Sequence, residues 1–282
     1  MTFMGMSAED VERQFNPRAA VPEHGHYIEE RTRRSAETRR KLRCALDLRY
    51  GPNPLETLDV FSGAPGGPVQ LYVHGGYWRA NSKSDASVIA EPLVAKGATA
   101  VLIDYDLCPK VTVAEIVRET VRSIAWTYRN IRAHGGDPDR LFISGNSAGA
   151  HLCAMALAHD WAAEGLPADV VKGAAPVTGI YDLEPVPLIS VNEQIRLKPE
   201  EARGLSPMHN PPRRALPLLV AVGGAETPQW IQQSKDYAAM CRAHRIPAEY
   251  LECPGENHFT MTNVLGDPDH ILTKAILKQM GL

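Results

Sequence analysis

Gly145-Asn146-Ser147-Ala148-Gly149 sets a serine between two glycines, directly after the apolar run Leu141-Phe142-Ile143 and directly before a helix-forming run, Ala150 to Ala158. Strand, Gly-x-Ser-x-Gly, helix is the pattern of a nucleophile elbow. Its glycines allow a turn sharp enough to hold the hydroxyl clear of the backbone, and the helix N-terminus behind it favours developing negative charge. The chemistry this predicts is attack by Ser147 on a carbonyl carbon. A five-residue pattern is common, so the assignment depends on what the rest of the chain supplies.

A serine alkoxide does not exist at neutral pH, so Ser147 needs a histidine to take its proton and a carboxylate to hold that histidine in the right tautomer. Behind an elbow of this kind, acid and base follow on loops after later strands, in the order serine, acid, histidine. Glu226 falls just past the apolar run Leu216 to Val222, in Gly223-Gly224-Ala225-Glu226, and His258 just past Ala248 to Glu252, in Pro254-Gly255-Glu256-Asn257-His258-Phe259. His270 comes later but in an apparent helix; Asp236 and Glu256 compete with Glu226 for the role of acid. The oxyanion hole is expected to combine the Ala148 amide with amides of the loop His74-Gly75-Gly76-Tyr77-Trp78, and Gly75 and Gly76 are the donors assigned there. Each such donor can contribute on the order of 2.7–4 kcal/mol. His74 is read as a brace for that loop. Tyr77, Trp78, Asn146, Trp230 and Phe259 are the candidates for lining a substrate pocket, with an ordinary core role as the alternative for the aromatic residues.

These groups have to be presented by a common scaffold. Residues 45–50 and 57–61 alternate apolar and polar around Gly51-Pro52-Asn53-Pro54, which predicts an antiparallel hairpin. Short apolar runs follow at Val69 to Val73, Ala98 to Ile103, Arg140 to Ser144, Val170 to Val177, Leu216 to Val222 and Ala248 to Glu252, giving about eight strands in all. Helical patterns separate them, the clearest being Val113, Ile116, Val117, Val121, Ile124, Tyr128 and Ile131. Such alternation implies a mostly parallel sheet sandwiched by helices. Residues 178–214 interrupt it with six prolines, and an insert there, after the sixth strand, is placed to overhang the serine as a lid. The chain is thus expected to comprise an N-terminal helical arm, 1–44, and one α/β domain, 45–282.

With 282 residues, 44% hydrophobic and 22% charged, the chain is long enough for a single large α/β domain. Its five cysteines are scattered, without a Cys-x-x-Cys pair, so neither a disulfide framework nor a zinc site is indicated, and Cys153 is expected in the core. No apolar stretch approaches the roughly 18 residues of a membrane span, and Met1 to Asp10 lacks the make-up of a signal peptide, so the expectation is a cytoplasmic protein without membrane association. A net charge of −3 argues against nucleic acid as partner. Seven basic residues between Arg31 and Arg43 alternate with Glu37 and follow Glu29 and Glu30, which reads as a solvated helix face or a subunit contact; no ligand is assigned to it. His24-Gly25-His26 lacks matching ligands, and there is no His-Glu-x-x-His, phosphate-binding loop or dinucleotide fingerprint, so no metal and no cofactor are called for. The arm, with Tyr27 and Ile28, could wrap a second copy in a homodimer or cover its own site.

Taken together, His74-Gly75-Gly76-Tyr77-Trp78-Arg79, Tyr105-Asp106-Leu107-Cys108-Pro109, Gly136-Asp137-Pro138, Gly179 to Pro185 and Glu226-Thr227-Pro228-Gln229-Trp230 with Gln233-Ser234 resemble, along the whole chain, the arylformamidase (kynurenine formamidase) branch of the α/β-hydrolase fold, close to bacterial esterases and lipases with His-Gly-Gly motifs. The resemblance implies an eight-stranded, mostly parallel sheet flanked by helices, a Ser147-His258-Glu226 triad with an acyl-enzyme, no metal, and hydrolysis of formyl-anilides and simple aryl esters. Two departures stand out: the family commonly has histidine where Asn146 stands, and serine where Pro176 or Val177 begins the lid. Small-molecule aromatic amides or esters, with water, are therefore the expected partners, with formyl amides of aromatic amines first. The alternatives are a carboxylesterase or amide and carbamate hydrolase acting on small aryl esters or xenobiotic anilides, and a non-catalytic binding protein on the same scaffold.

Overall fold

The computed structural model describes residues 3–282. Eight strands make one sheet in the order β1-β2-β4-β3-β5-β6-β7-β8: β1 Cys44–Arg49, β2 Thr57–Phe61, β3 Gly67–Val73, β4 Thr99–Ile103, β5 Gly136–Asn146, β6 Val171–Val177, β7 Leu218–Gly223 and β8 Ala248–Cys253. β2 runs antiparallel to β1 and to β4, and all other pairs are parallel. The expected hairpin and parallel succession are both present. β3, β4 and β7 are buried on both faces, which is why they read as continuous apolar runs, whereas the edge strands β1 and β8 alternate with solvent.

Two strand limits differ from expectation. β5 starts at Gly136, not Arg140, because Gly136 pairs with Gly67 where a side chain would meet Val69 at 2.7 Å. β7 starts at Leu218, not Leu216, since Pro217 has no N–H for the ladder and offers only its carbonyl, to Ala174 N–H at 3.0 Å.

The helices are α1 Ala8–Phe15, α2 Pro17–Ala20, α3 His24–Lys41, α4 Ala90–Ala95, α5 Val113–Asn130, α6 Ala148–Leu157, α7 Asn192–Ile195, α8 Pro199–Ala202, α9 Pro228–Ala243, α10 Thr260–Asn263 and α11 Ile271–Gln279. One core forms where α5, α6 and α9 cover Val69, Leu71 and Val73 of β3, and a second where α4 and α11 cover Tyr72 on the opposite face. α5 realises its sequence periodicity: Thr112 caps it by accepting from Glu115 N–H at 3.2 Å, and Ile116, Val121 and Ile124 are turned inward. All five cysteines are free, and Cys153 is buried on α6.

The basic run of the arm departs from the expected solvated face. Arg33, Arg40, Lys41 and Arg43 are exposed, but Arg31 is buried, Arg34 donates to Gly266 O at 3.0 Å, and Arg39 is paired with the buried Asp59. α3 is therefore clamped onto the body, with one edge in solvent. Residues 178–214 form short helical turns between β6 and β7, anchored by Leu183, Val186 and Ile189 in the core.

The elbow is pressed hard against β3. A Cβ at Gly149 would stand 2.0 Å from Val73 O, and one at Gly145 would stand 2.8 Å from the same atom and 2.6 Å from the Gly149 backbone. Both glycines are therefore steric requirements of the turn. Gly149→Ala should lower stability by about 1–3 kcal/mol, the range for inserting a methyl into a packed site, read as a shift of the urea-unfolding midpoint; an unchanged midpoint would mean that the elbow can move off β3.

Candidate active site

Ser147 occupies the turn between β5 and α6 with φ 55° and ψ −119°, a backbone conformation that non-glycine residues rarely adopt. Its N–H donates to Val177 O at 2.9 Å, so the strained turn is tied to β6 as well as wedged against β3. The side chain lines an open cleft that His258 also lines.

His258 and Glu226 meet from loops after β8 and β7. The imidazole Nδ1 and the Glu226 carboxylate are 2.6 Å apart, with both side chains buried. Glu226 is itself oriented by Gly223 N–H, which donates to its other oxygen at 3.0 Å. Trp230 packs edge-on to the imidazole, ring centroids 4.6 Å apart, and is held by its own indole N–H on Thr178 O at 2.7 Å. The competing acids lie elsewhere: Asp236 accepts from Gln232 on the exposed side of α9, and Glu256 faces His270 at 3.8 Å. Ser147 and His258 face the same cleft without a direct hydrogen bond between them; contacts of this kind often tighten only around substrate.

Asn146, the residue preceding the serine, is a buried three-way junction. Its carbonyl oxygen accepts from Tyr72 O–H at 2.6 Å and from Gly75 N–H at 2.9 Å, and its amide donates to Thr262 Oγ1 at 2.9 Å. Three segments are thereby locked together: β3, the glycine loop after it, and α10 behind His258. The same contact corrects the expected oxyanion donors. The Gly75 amide is occupied by Asn146, while those of Gly76, Tyr77 and Ala148 find no acceptor among the described residues. Gly75 is instead a close-approach position, where a Cβ would come within 2.8 Å of Asn146.

The rest of the glycine loop is braced as expected for His74, which stacks on Tyr105 with centroids 4.3 Å apart and faces Asp104 at 3.3 Å. Of the pocket candidates, Tyr77, Asn146 and Phe259 line the cleft, and Trp230 lines an adjoining cavity with Glu226 and the far side of His258. Trp78 does not. It is fully buried, and its indole N–H donates to His151 Nδ1 at 3.2 Å because the loop turns it down onto α6. Sequence reasoning missed three further wall residues, Arg18, Arg31 and Arg79, and also Val191 from the 178–214 segment. Arg31 had left a signal only inside a charged run that looked like a solvent face, and Arg79 only as the last residue of the glycine-loop motif.

His151 ties the site to that segment: Nδ1 accepts from Trp78, and Nε2 donates to Leu205 O at 2.8 Å. Complete burial pushes its pKa down to about 4 despite the Leu205 carbonyl. The folded state thus excludes a proton that the unfolded chain binds below its ordinary 6.5, so His151 withdraws stability as pH falls from 6.5 towards 4, by roughly 3 kcal/mol in full. His151→Gln should flatten the pH dependence of the urea-unfolding free energy in that window; an identical slope in the variant would refute the assignment.

A mostly parallel eight-stranded sheet carrying a strained serine at the strand-to-helix turn, with acid and histidine on later loops, defines an α/β hydrolase. The family model described as alpha/beta hydrolase fold matches residues 70–262, and the chain belongs to that family, in its arylformamidase and esterase branch. It is similar to the kynurenine formamidase of Danio rerio, 31% identical over 98% of this chain and 97% of that protein, and of Salmo salar, 32% identical with the same coverage. Among solved structures it is similar to a chain from Silicibacter sp. described as a putative thioesterase, with a TM-score of 0.83, 28% identity, and coverage of 97% of this chain and 100% of that one. The protein is a hydrolase of the arylformamidase and esterase type.

Proposed function

We propose that the chain is a serine hydrolase that cleaves a small, formyl-type acyl group from an aromatic amine through an acyl-enzyme. The observation that carries this reading is the 2.6 Å contact between Glu226 and His258 at the wall of the cleft that holds Ser147. Glu226 fixes Nδ1 as the protonated nitrogen and leaves Nε2 to act as base. Ser147 Oγ attacks the carbonyl carbon as His258 takes its proton; the oxygen, now negative, is held by the amides of Ala148, Gly76 and Tyr77. Collapse of the adduct breaks the C–N bond, the amine departs with the proton from His258, and a formyl ester remains on Ser147. Water, deprotonated by His258, then attacks the ester, and formate is released with Ser147 restored.

The formamidase names of the full-length relatives favour a formyl amide as substrate. Hydrolysis of small aryl esters is the second reading, favoured by a relative named Esterase LipQ of Mycobacterium tuberculosis, 32% identical over 75% of this chain and 56% of that protein. In both readings residues 178–214 act as a lid, since Val191 reaches the cleft, Gln194 accepts from Arg79, and Glu12 of α1 grips Ser190 through two bonds of 2.7 Å.

Turnover of formanilide, acetanilide and 4-nitrophenyl esters of increasing acyl length separates these readings, with formyl expected fastest; a rate that rises with acyl length excludes the formyl preference. Ser147→Ala and His258→Ala should each lower kcat by about five to six orders of magnitude and Glu226→Ala by about four. A fluorophosphonate that fails to label Ser147 in the folded wild type would refute the nucleophile. Asn146→Ala strips three hydrogen bonds from groups that stay buried, and should lower kcat more than it raises KM, because the glycine loop loses its anchor; steady-state kinetics with correctly folded variant would show the opposite split if Asn146 merely shaped the pocket.

A further inference from the structure

The end of α1 leaves two carbonyls open, and two hydroxyls from the active-site loops take them. The last carbonyls of any helix lack an N–H partner within it. Here Pro17 has no N–H to offer, and Asn16, with extended backbone, diverts the next two donors: Arg18 N–H goes to its Oδ1 at 3.2 Å and Ala19 N–H to its carbonyl at 3.0 Å. Those two amides would otherwise continue the helix onto Gln14 O and Phe15 O. Gln14 O accepts instead from Thr227 Oγ1 at 2.7 Å, and Phe15 O from the Tyr77 hydroxyl.

Each hydroxyl belongs to a different part of the site. Thr227 follows Glu226 directly, and Gln229 is held by the same arm residue, its N–H donating to Gln14 Oε1 at 3.1 Å. Tyr77 lies in the glycine loop between Gly75, whose N–H is held by Asn146, and Trp78, whose carbonyl accepts from Cys108 N–H at 2.8 Å. Its φ of 51° is unfavourable for an aromatic residue and needs support from the surrounding structure. Trp230 joins the two sides, its ring edge-on to Tyr77 at 6.3 Å and to His258 at 4.6 Å. The turn that receives both hydroxyls is itself well anchored: Val11 and Phe15 are buried in the main core, Phe3 packs edge-on to Phe15 at 5.5 Å, and Asn16 Nδ2 donates to Glu12 Oε1 at 2.6 Å.

We infer that the last turn of α1 is a jig for catalysis, and that Tyr77 and Thr227 are positioning residues whose hydroxyls set the oxyanion loop and the acid loop at a fixed separation. Gln14 and Phe15 are consecutive, so a shift of either loop against the other must stretch one of the two bonds or bend the helix. The partial negative charge at a helix C-terminus strengthens both contacts. The inference rests on the hydrolase reading, in which the Tyr77 amide serves the oxyanion while its hydroxyl serves the arm.

Full-length Tyr77→Phe and Thr227→Val each remove one hydroxyl and keep the shape of the side chain. With 4-nitrophenyl acetate and formanilide, each should lower kcat about tenfold, the effect of roughly one buried hydrogen bond, with KM changed less than about twofold. Thr227→Ser restores the donor and should recover most of the lost kcat. Labelling of Ser147 by a fluorophosphonate should slow in parallel in Tyr77→Phe, since that reaction also places charge on the oxyanion amides. Thr227 is only half-buried, so Thr227→Val and its serine rescue carry the test if Tyr77→Phe does not fold. Wild-type kcat in the folded variants, with only a lower urea-unfolding midpoint, overturns the jig and leaves the hydrolase reading intact. A higher KM at unchanged kcat overturns it as well, because the hydroxyls would then shape the pocket. So does a loss of kcat in only one of two folded variants, or one that Thr227→Ser does not recover. Wild-type protein that neither turns over these substrates nor takes the label overturns the hydrolase reading, and the jig with it.

Discussion

The elbow has no room to spare against β3, and most of the cleft is arranged around that closeness. With Gly149 seated on the Val73 carbonyl, the turn at residue 147 is fixed from below, and its N–H bond to Val177 fixes it from the side. A conformation that would be unfavourable for a free serine is thus held by two neighbouring strands. The glycine loop leaves β3 one residue after Val73, so the surface that squeezes the elbow also launches the amides that face it. Asn146 then joins the two by its side chain, and extends the connection to α10 through Thr262. The serine turn, the glycine-loop amides and the support of His258 are in this way referred to one buried carboxamide.

Much of this arrangement could be read from the residues. The elbow, the order Ser147, Glu226, His258, and the alternation of strands with helices each depend on local patterns: glycine at a tight turn, apolar runs at doubly buried strands, three- and four-residue periodicity along α5. What escaped was decided by tertiary contact. Trp78 follows two glycines in a loop near the serine, as a pocket residue would, yet positive φ at both Tyr77 and Trp78 sends its ring down onto His151. Gly75 looked like an oxyanion donor until the side chain at 146 claimed its amide. Arg31 sits in a run whose other members do face solvent, and no pattern of charge reveals which one turns inward.

The arm is more than a cover. Gln14 accepts from Thr227 O–H at 2.7 Å and from Gln229 N–H at 3.1 Å, so α1 steadies the segment that follows Glu226, while Glu12 holds Ser190 and α3 brings Arg31 into the cleft wall. The shared fold supplies the sheet and elbow. The helices of the arm supply part of the cleft wall and part of the bracing around Glu226. Elements outside the sheet and elbow thus shape the cleft, and a fold of this kind can carry different functions.

The positions 147, 226 and 258 also give the chain a temporal order during synthesis. The arm, the glycine loop and the elbow are synthesised more than a hundred residues before the imidazole of residue 258, and α11, which closes the second core, follows it. A nascent polypeptide stalled before residue 258 would carry the elbow without the imidazole, so positions 147, 226 and 258 can meet only after every strand of the sheet, β1 to β8, has been made.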